Sequence, residues 1–259
     1  MTLLAVLGPF LAPHDPNEQQ RDVLIDDNFE PVRPFQLPGH PLGADSTGRD
    51  ELSRLLYGGQ VSMMVAYFAT ALAIFIGVLA GVTSGYFGSW IDFAWMRSVD
   101  LLLSLPFLLV AIAIQAAVAD TSLLFLVVLL ALLSWTTLAR VTRAKVMQVR
   151  QLEYIQAAEA LGMGHARILI RHVLPNVLGP VIVLGTTLVA RMIIFESALS
   201  FLGLGVEPPD ASWGSMLNEG RLELAYPHLL LFPAILIVAT VFGFNLLGEG
   251  LRDAFDPKE

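Results

Sequence analysis

Long stretches with almost no charge recur along this chain, and they constrain it more than any other feature. "VSMMVAYFATALAIFIGVLAGVTSGY" (61–86) contains no Asp, Glu, Lys or Arg, and 98–119, 121–140, 177–203 and 228–248 are nearly as apolar. A helix needs about 20 mainly apolar residues to cross roughly 30 Å of hydrocarbon. These five segments therefore read as transmembrane helices. The run from Thr2 to Ala12 reaches only about 16 Å. It reads as the outer half of a truncated first span, with an interfacial helix as the alternative. The expected fold is thus all-α and integral to the membrane, with five to six spans. A composition of 55% hydrophobic and 15% charged residues, with mean hydropathy +0.67, agrees.

Orientation follows from the basic residues. Arg140, Arg143, Lys145, Arg150, Arg167 and Arg171 cluster between the third and fourth spans, and Arg97, Arg252 and Lys258 fall on the same side if spans alternate. The other side is acidic: Asp15, Glu18, Asp22, Asp26, Asp27 and Glu30, then Glu207, Asp210, Glu219 and Glu223. The positive-inside rule places 141–175 and the C-terminus in the cytoplasm and 13–58 and 204–227 outside. The expected organisation is residues 1–58 as truncated first helix plus extracytoplasmic loop, 59–250 as the transmembrane domain, and 251–259 as a cytoplasmic tail.

Within the spans, Ala73, Gly77, Gly81 and Gly85 recur every four residues, which lines small side chains along one face suited to close helix packing. Pro106, Pro180 and Pro233 lie within or near spans and predict kinks. Arg191 and Glu196 are charged residues inside one span, and Asn245 and Glu249 lie in or near the last. Such groups normally face a bundle interior or an aqueous path. Arg191 and Glu196 stand five apart, about 140° around an ideal helix, so they are poorly placed to pair with each other. A structural contact and the lining of a translocation path are both open for them.

Several chemistries have no sequence basis. The net charge of -8 disfavours nucleic acid as a partner. There is no cysteine, hence no disulfide framework or thiolate metal site. The N-terminus shows no basic region or cleavage site of a secretory signal. Neither Lys145 nor Lys258 follows the glycines of a phosphate-binding loop, and no nucleophile elbow appears. The five histidines include no H-E-x-x-H, and no metal site is expected. The chain reads as a conduit, not an enzyme.

One segment is neither span nor tail. In "EYIQAAEALGMGHARILIRHVLP" (153–175), Leu152, Ile155, Ala158 and Leu161 form an apolar stripe beside Glu153, Gln156 and Glu159. Gly162 and Gly164 then break the helix, "HARILIRH" starts a second one, and Pro175 is expected to stop it before the next span. Such a helix–turn–helix suits docking into a groove of a soluble partner, or resting on the bilayer surface.

This segment resembles the EAA loop of permease subunits in ABC importers. Ala157, Ala158, Gly162, Leu174 and Pro175 match that pattern in register, while Gln156 replaces its acidic residue and His172 an isoleucine. "HPLGADSTGRDELSRLLYGG" (40–59), "GYFGSWIDFAWMRSVDLLLSLP" (85–106), "ESALSFLGLGVEPPDASWGSMLNEGR" (196–221) and "FNLLGEGLRDAFDP" (244–257) extend the likeness to the second permease subunit of dipeptide and oligopeptide importers, a type that nickel importers share. The resemblance implies the transmembrane domain of a type I ABC importer. It implies half of a path for peptides, with nickel or another small solute as the alternative cargo. It implies a coupling loop at 150–175, with Glu153, Gln156, Ala157, Ala158, Glu159, Gly162, Leu174 and Pro175 facing the ATPase. The implied partners are a second homologous permease, two ATP-binding subunits that hold ATP and Mg, and an extracytoplasmic binding protein facing the 204–227 loop. By its own composition Trp213 in that loop suits the bilayer interface. An ion-coupled secondary transporter using Arg191 and Glu196 is the rival reading, although no inverted repeat is visible.

Overall fold

The apolar stretches become helices that mostly outrun the segments marked by hydropathy. The computed structural model describes residues 2–26, 29–118 and 122–255. Helix α1 (Thr2–Leu11) is about 15 Å long and α2 (Arg21–Leu24) a single turn. Helix α3 (Glu51–Phe87) begins ten residues before its apolar stretch. Asp50 sets that start, because its Oδ2 accepts the Ser53 backbone N–H at 2.8 Å and so satisfies a first-turn donor. Next come α4 (Ser89–Ser104), α5 (Phe107–Val118) and α6 (Leu123–Arg150). After these the chain forms α7 (Glu153–Ala160) and α8 (His165–Ile168), and a π-turn over Leu169–Val173 leads into α9 (Leu174–Phe201). Helices α10 (Trp213–Gly220) and α11 (His228–Phe255) complete the order. Among the described residues four helical stretches are long and apolar enough to span a bilayer, and the bent pair α4–α5, counted as one span, makes a fifth.

One expectation is met here and one needs correction. The stretch 98–119 bends where Pro106 predicts a kink, since α4 and α5 meet at 90°. Pro106 disfavours helical geometry at the preceding residue, and Leu105 lies at φ -100°, ψ 139°, in the extended region. Pro175 does not stop the second helix of the 153–175 segment. It is the second residue of α9, and the π-turn just before it supplies the wider backbone that a proline without an N–H requires. Pro180 and Pro233 lie inside α9 and α11 without ending them. The start of 121–140, the end of 98–119 and residues 256–259 of the tail, Lys258 included, lie outside the described residues, as does Asp27.

The chain divides into two compact units. The first comprises Met1–Phe68, Ile112–Val127 and Ala190–Gly243. Its apolar centre is Leu55, Ala211, Trp213 and Met216, with Phe232 and Leu236 packed alongside. The loop before α3 has no regular strand among the described residues. It is held instead by isolated bridges, Ile25 to Pro31, Leu37 to His40 and Ala44 to Asp50.

The second unit comprises Ala69–Ala111, Val128–Val189 and Phe244–Glu259. Here the small-residue face of α3 lies against α6. A Cβ at Gly77 would sit 2.8 Å from the Leu138 Cβ, one at Gly81 2.5 Å from the Thr142 Cβ, and one at Gly85 2.8 Å from the Arg143 carbonyl oxygen. Ala73 is fully buried. Helix α4 is tied to α6 by the fork of Arg143 on Asp92, at 2.5 and 2.6 Å, and by the edge-on pair Trp95 and Trp135.

Candidate functional site

The 150–175 segment is assembled from its own second unit. On α7, Ile155 and Ala158 are buried, whereas Glu153, Tyr154, Gln156 and Ala157 are exposed. The apolar stripe thus continues inward only as far as Ala158, and Leu161 is 87% exposed. Gly162 closes the helix at φ 77°, a left-handed conformation that L side chains adopt at a cost of roughly 1–2 kcal/mol. A Cβ there would meet open space, so backbone geometry and not crowding calls for glycine. Met163 N–H reaches the Ala158 carbonyl at 3.0 Å, which satisfies an orphan acceptor at the helix end. Leu174 is half-buried and Pro175 exposed.

Three residues outside the predicted ATPase-facing set hold this turn. The Tyr86 hydroxyl, at the end of α3, lies 3.2 Å from Glu159 Oε1 and 3.0 Å from His165 Nδ1. One hydroxyl hydrogen serves only one acceptor, so Tyr86 donates to the carboxylate and accepts from an Nδ1–H of His165. Arg150, at the end of α6, donates to the Tyr86 carbonyl at 2.8 Å and stacks over its ring at 5.4 Å. Its 3.8 Å approach to Glu159 is between half-exposed groups and contributes little by itself. Asn176 donates to the Tyr154 hydroxyl at 3.2 Å and the His172 carbonyl at 2.6 Å. Both arms of the loop are therefore fastened to the spans that flank them, while its turn projects free. The sequence signal for Tyr86 was only its place at the polar end of a span.

In the first unit, Arg191 and Glu196 occupy different environments and no ion pair joins them among the described residues. Arg191 is exposed. Glu196 is fully buried in hydroxyls: Ser62 donates to Oε2 at 2.8 Å and Ser200 to Oε1 at 2.8 Å. The Ser62 oxygen in turn accepts the Trp213 backbone N–H at 3.2 Å, so one carboxylate links α3, α9 and the start of α10.

Trp213 itself corrects an expectation. It is not an interfacial anchor but 1% exposed, with its ring on the bare backbone of Gly59 and Nε1–H donating to the Leu55 carbonyl at 3.0 Å. Ser212 caps α10 with a reciprocal box to Ser215, at 3.1 and 2.8 Å. At the far end of α10, Glu219 accepts from Arg49 at 2.9 Å and from Arg54 at 2.9 and 3.0 Å. Asp45 completes this cluster with a 2.6 Å bond from Arg49 Nε. Burial alone would raise the Asp45 carboxyl, but Arg54 and Arg49 hold it below its ordinary range.

The chain has relatives. The family model described as the binding-protein-dependent transport system inner membrane component matches residues 58–259. The chain belongs to this family. It is a multi-pass permease subunit of an ABC importer, non-catalytic itself, with ATP hydrolysis on separate subunits. The permease is 39% identical over 258 residues to a dipeptide transport system permease protein of Bacillus subtilis, covering 99% of this chain and 78% of that one. It is 43% identical over 227 residues to an oligopeptide transport system permease protein of Escherichia coli, covering 87% and 75%. It is 40% identical over 220 residues to a glutathione transport system permease protein of Pectobacterium atrosepticum, covering 85% and 73%. Among solved structures it resembles an inward-facing methionine ABC transporter with TM-score 0.62 at 16% identity, covering 78% of this chain and 96% of that one. At that identity the likeness speaks for the fold alone, that of a type I importer permease. Membership in this family does not favour the gradient-driven rival.

Proposed function

We propose that this permease forms half of a translocation path for di- or oligopeptides, delivered by an extracytoplasmic binding protein and driven by two ATPase subunits that hold ATP and Mg. Its other half is a second, homologous permease. Residues 150–175 lie in the cytoplasm and insert into the ATPases. Glu153, Gln156, Ala157, Ala158, Glu159, Gly162, Leu174 and Pro175 form or support the inserted surface. The observation that carries this reading is the turn at Gly162, which projects uncovered while Tyr86, Arg150 and Asn176 tie both of its arms to spans. A segment held at its roots and bare at its tip transmits a push without supplying its own partner. The named relatives support peptide as cargo, since dipeptide, oligopeptide and glutathione systems all appear among them.

ATP acts on such a machine only through different affinity for its inward- and outward-facing states. Gly162→Val keeps the bulk of the loop but strains its turn. In liposomes containing the partner subunits, we expect assembly to persist. We expect peptide-loaded binding protein to stimulate ATP hydrolysis less by roughly 5- to 150-fold, the span of ordinary coupling free energies. Undiminished stimulation and transport in this variant refute the coupling role.

A further inference from the structure

The loop that precedes α3 brings together three groups that the transport reading does not use. Asp50, fully buried, directs Oδ1 at His40 Nδ1, 2.8 Å away, and Oδ2 at His14 Nδ1, 4.0 Å away. The two imidazoles are stacked, with centroids 4.2 Å apart and planes inclined by 16°. One ring nitrogen of each histidine and a carboxylate oxygen of Asp50 lie within 4.8 Å of one another. His14 Nδ1 is buried yet makes no hydrogen bond among the described residues. A buried ring nitrogen without a partner costs about 1–3 kcal/mol, so such an atom calls for an occupant.

We propose that His14, His40 and Asp50 form a binding site for a divalent cation of borderline softness, of which Zn2+ is the type. The donor set is two imidazoles and one carboxylate, which suits such a cation and leaves a fourth position for water. Tetrahedral coordination at about 2.0–2.1 Å puts donor atoms about 3.3 Å apart. The separations are 2.8 Å from His40 Nδ1 to Oδ1 and 4.0 Å from His14 Nδ1 to Oδ2, and His14, with 26% of its side chain exposed, has the freedom to turn out of its stack on His40 and bring a ring nitrogen in line with the ion. The surrounding bonds orient the ligands as metal sites require. Asp50 Oδ2 is fixed by the Ser53 N–H at 2.8 Å and hydroxyl at 2.7 Å, and the His14 backbone N–H donates to the same hydroxyl at 3.1 Å. No short motif marks these ligands, which are 26 and 10 residues apart and meet only through the fold of the loop.

The physical gain is local. Among the described residues, 12–50 carry only one helical turn and isolated bridges, and a metal joining residue 14 to residues 40 and 50 closes that loop on the capped start of α3. Binding free energy then adds directly to the stability of the loop.

The test uses the full permease, purified without a histidine tag, stripped with chelator and titrated with Co2+ and then Zn2+. We expect one Co2+ per chain with the visible bands of a tetrahedral N/O site, displaced by Zn2+, and slower proteolysis of the 12–50 loop when metal is bound. His14→Ala, at a partly exposed position, loses the bands and the protection. His228→Gln, remote in sequence and absent from the cluster, retains both. A wild type that binds no stoichiometric Co2+ overturns the proposal. So does a His14→Ala variant that stays folded and binds Co2+ as the wild type does.

Discussion

The contact between α3 and α6 can be tested one methyl group at a time. A Cβ at Gly81 would stand 2.5 Å from the Thr142 Cβ and 2.6 Å from the Ala139 carbonyl oxygen. Ordinary contact begins at 3.4 Å, so Gly81→Ala forces a separation of about 0.9 Å, from 3.4 less 2.5. Neither neighbour is the end of a flexible side chain. One is a branched carbon beside the helix axis and the other is backbone, so the two helices must move apart locally. A gap of 0.5–1 Å forfeits roughly a quarter to a half of each dispersion contact along the seam, and overpacking of this kind costs about 1–3 kcal/mol. Against this stands about 1 kcal/mol of helix propensity that alanine gains over glycine. The net expectation is a loss of about 0–2 kcal/mol, centred near 1. Gly243→Ala in α11 is the internal control, since a Cβ there meets nothing within 4 Å and only the propensity gain remains. Unfolding of the purified permease in mild detergent, followed by circular dichroism against added denaturing detergent, reads both variants. We expect Gly243→Ala to be more stable than Gly81→Ala by about 1–3 kcal/mol. Equal stability, or the reverse order, refutes the close-packed seam.

Two further predictions concern the first unit. Asp45 has a carboxyl pKa held below its ordinary value by Arg54 and Arg49 against the opposing effect of burial. A depressed carboxylate stabilises above its unfolded pKa of about 3.9 and loses that contribution as pH falls through the lower folded value. Thermal melts should therefore show no Asp45 contribution to pH dependence between pH 7 and 5 and a decline below about pH 4, and Asp45→Asn should flatten that acid limb while lowering stability at neutral pH. At Glu196, Glu196→Ala strands the hydroxyls of Ser62 and Ser200, each unmet group costing about 1–3 kcal/mol. Glu196→Gln keeps an acceptor and a donor there and should cost less. Hydrogen exchange in 204–216 should speed up in the alanine variant and change little in the glutamine variant. Equal protection in both contradicts the linking role of the carboxylate.

The legible parts of the fold were those fixed by periodicity. Apolar runs of membrane length, the four-residue spacing of Ala73, Gly77, Gly81 and Gly85, and the stripe of Ile155 and Ala158 need only local sequence to be seen. Contacts made at long range were not legible. Trp213 fits a bilayer interface by its chemistry, and only the bare backbone of Gly59, far back in the chain, turns it into a buried anchor. For Glu196 a structural contact and an aqueous path both stay open in the sequence until Ser62, 134 residues away, is found to donate to it. Tyr86 showed only its place at the polar end of a span, because its hydroxyl acquires a role only when Glu159 and His165, which follow α6 in the chain, reach it. The 90° turn at Pro106 was half legible. Proline announces a break, but its angle depends on what the two helices pack against.

The π-turn at Leu169–Val173 sets the phase of everything on either side of it. Ile168, Val173, Val177 and Val181 are all buried, at steps of five, four and four. In a uniform α-helix a step of five would swing the side chain about 140° away from the seam. The wider turn absorbs the surplus residue, so the buried edge runs without interruption from the projecting loop into the span. The chain thus keeps one residue in reserve at the junction between the loop and the membrane. Rewinding the π-turn into an α-helix, or the reverse, would rotate the loop against α9 by about 100°, one residue's worth, with no change in the covalent chain.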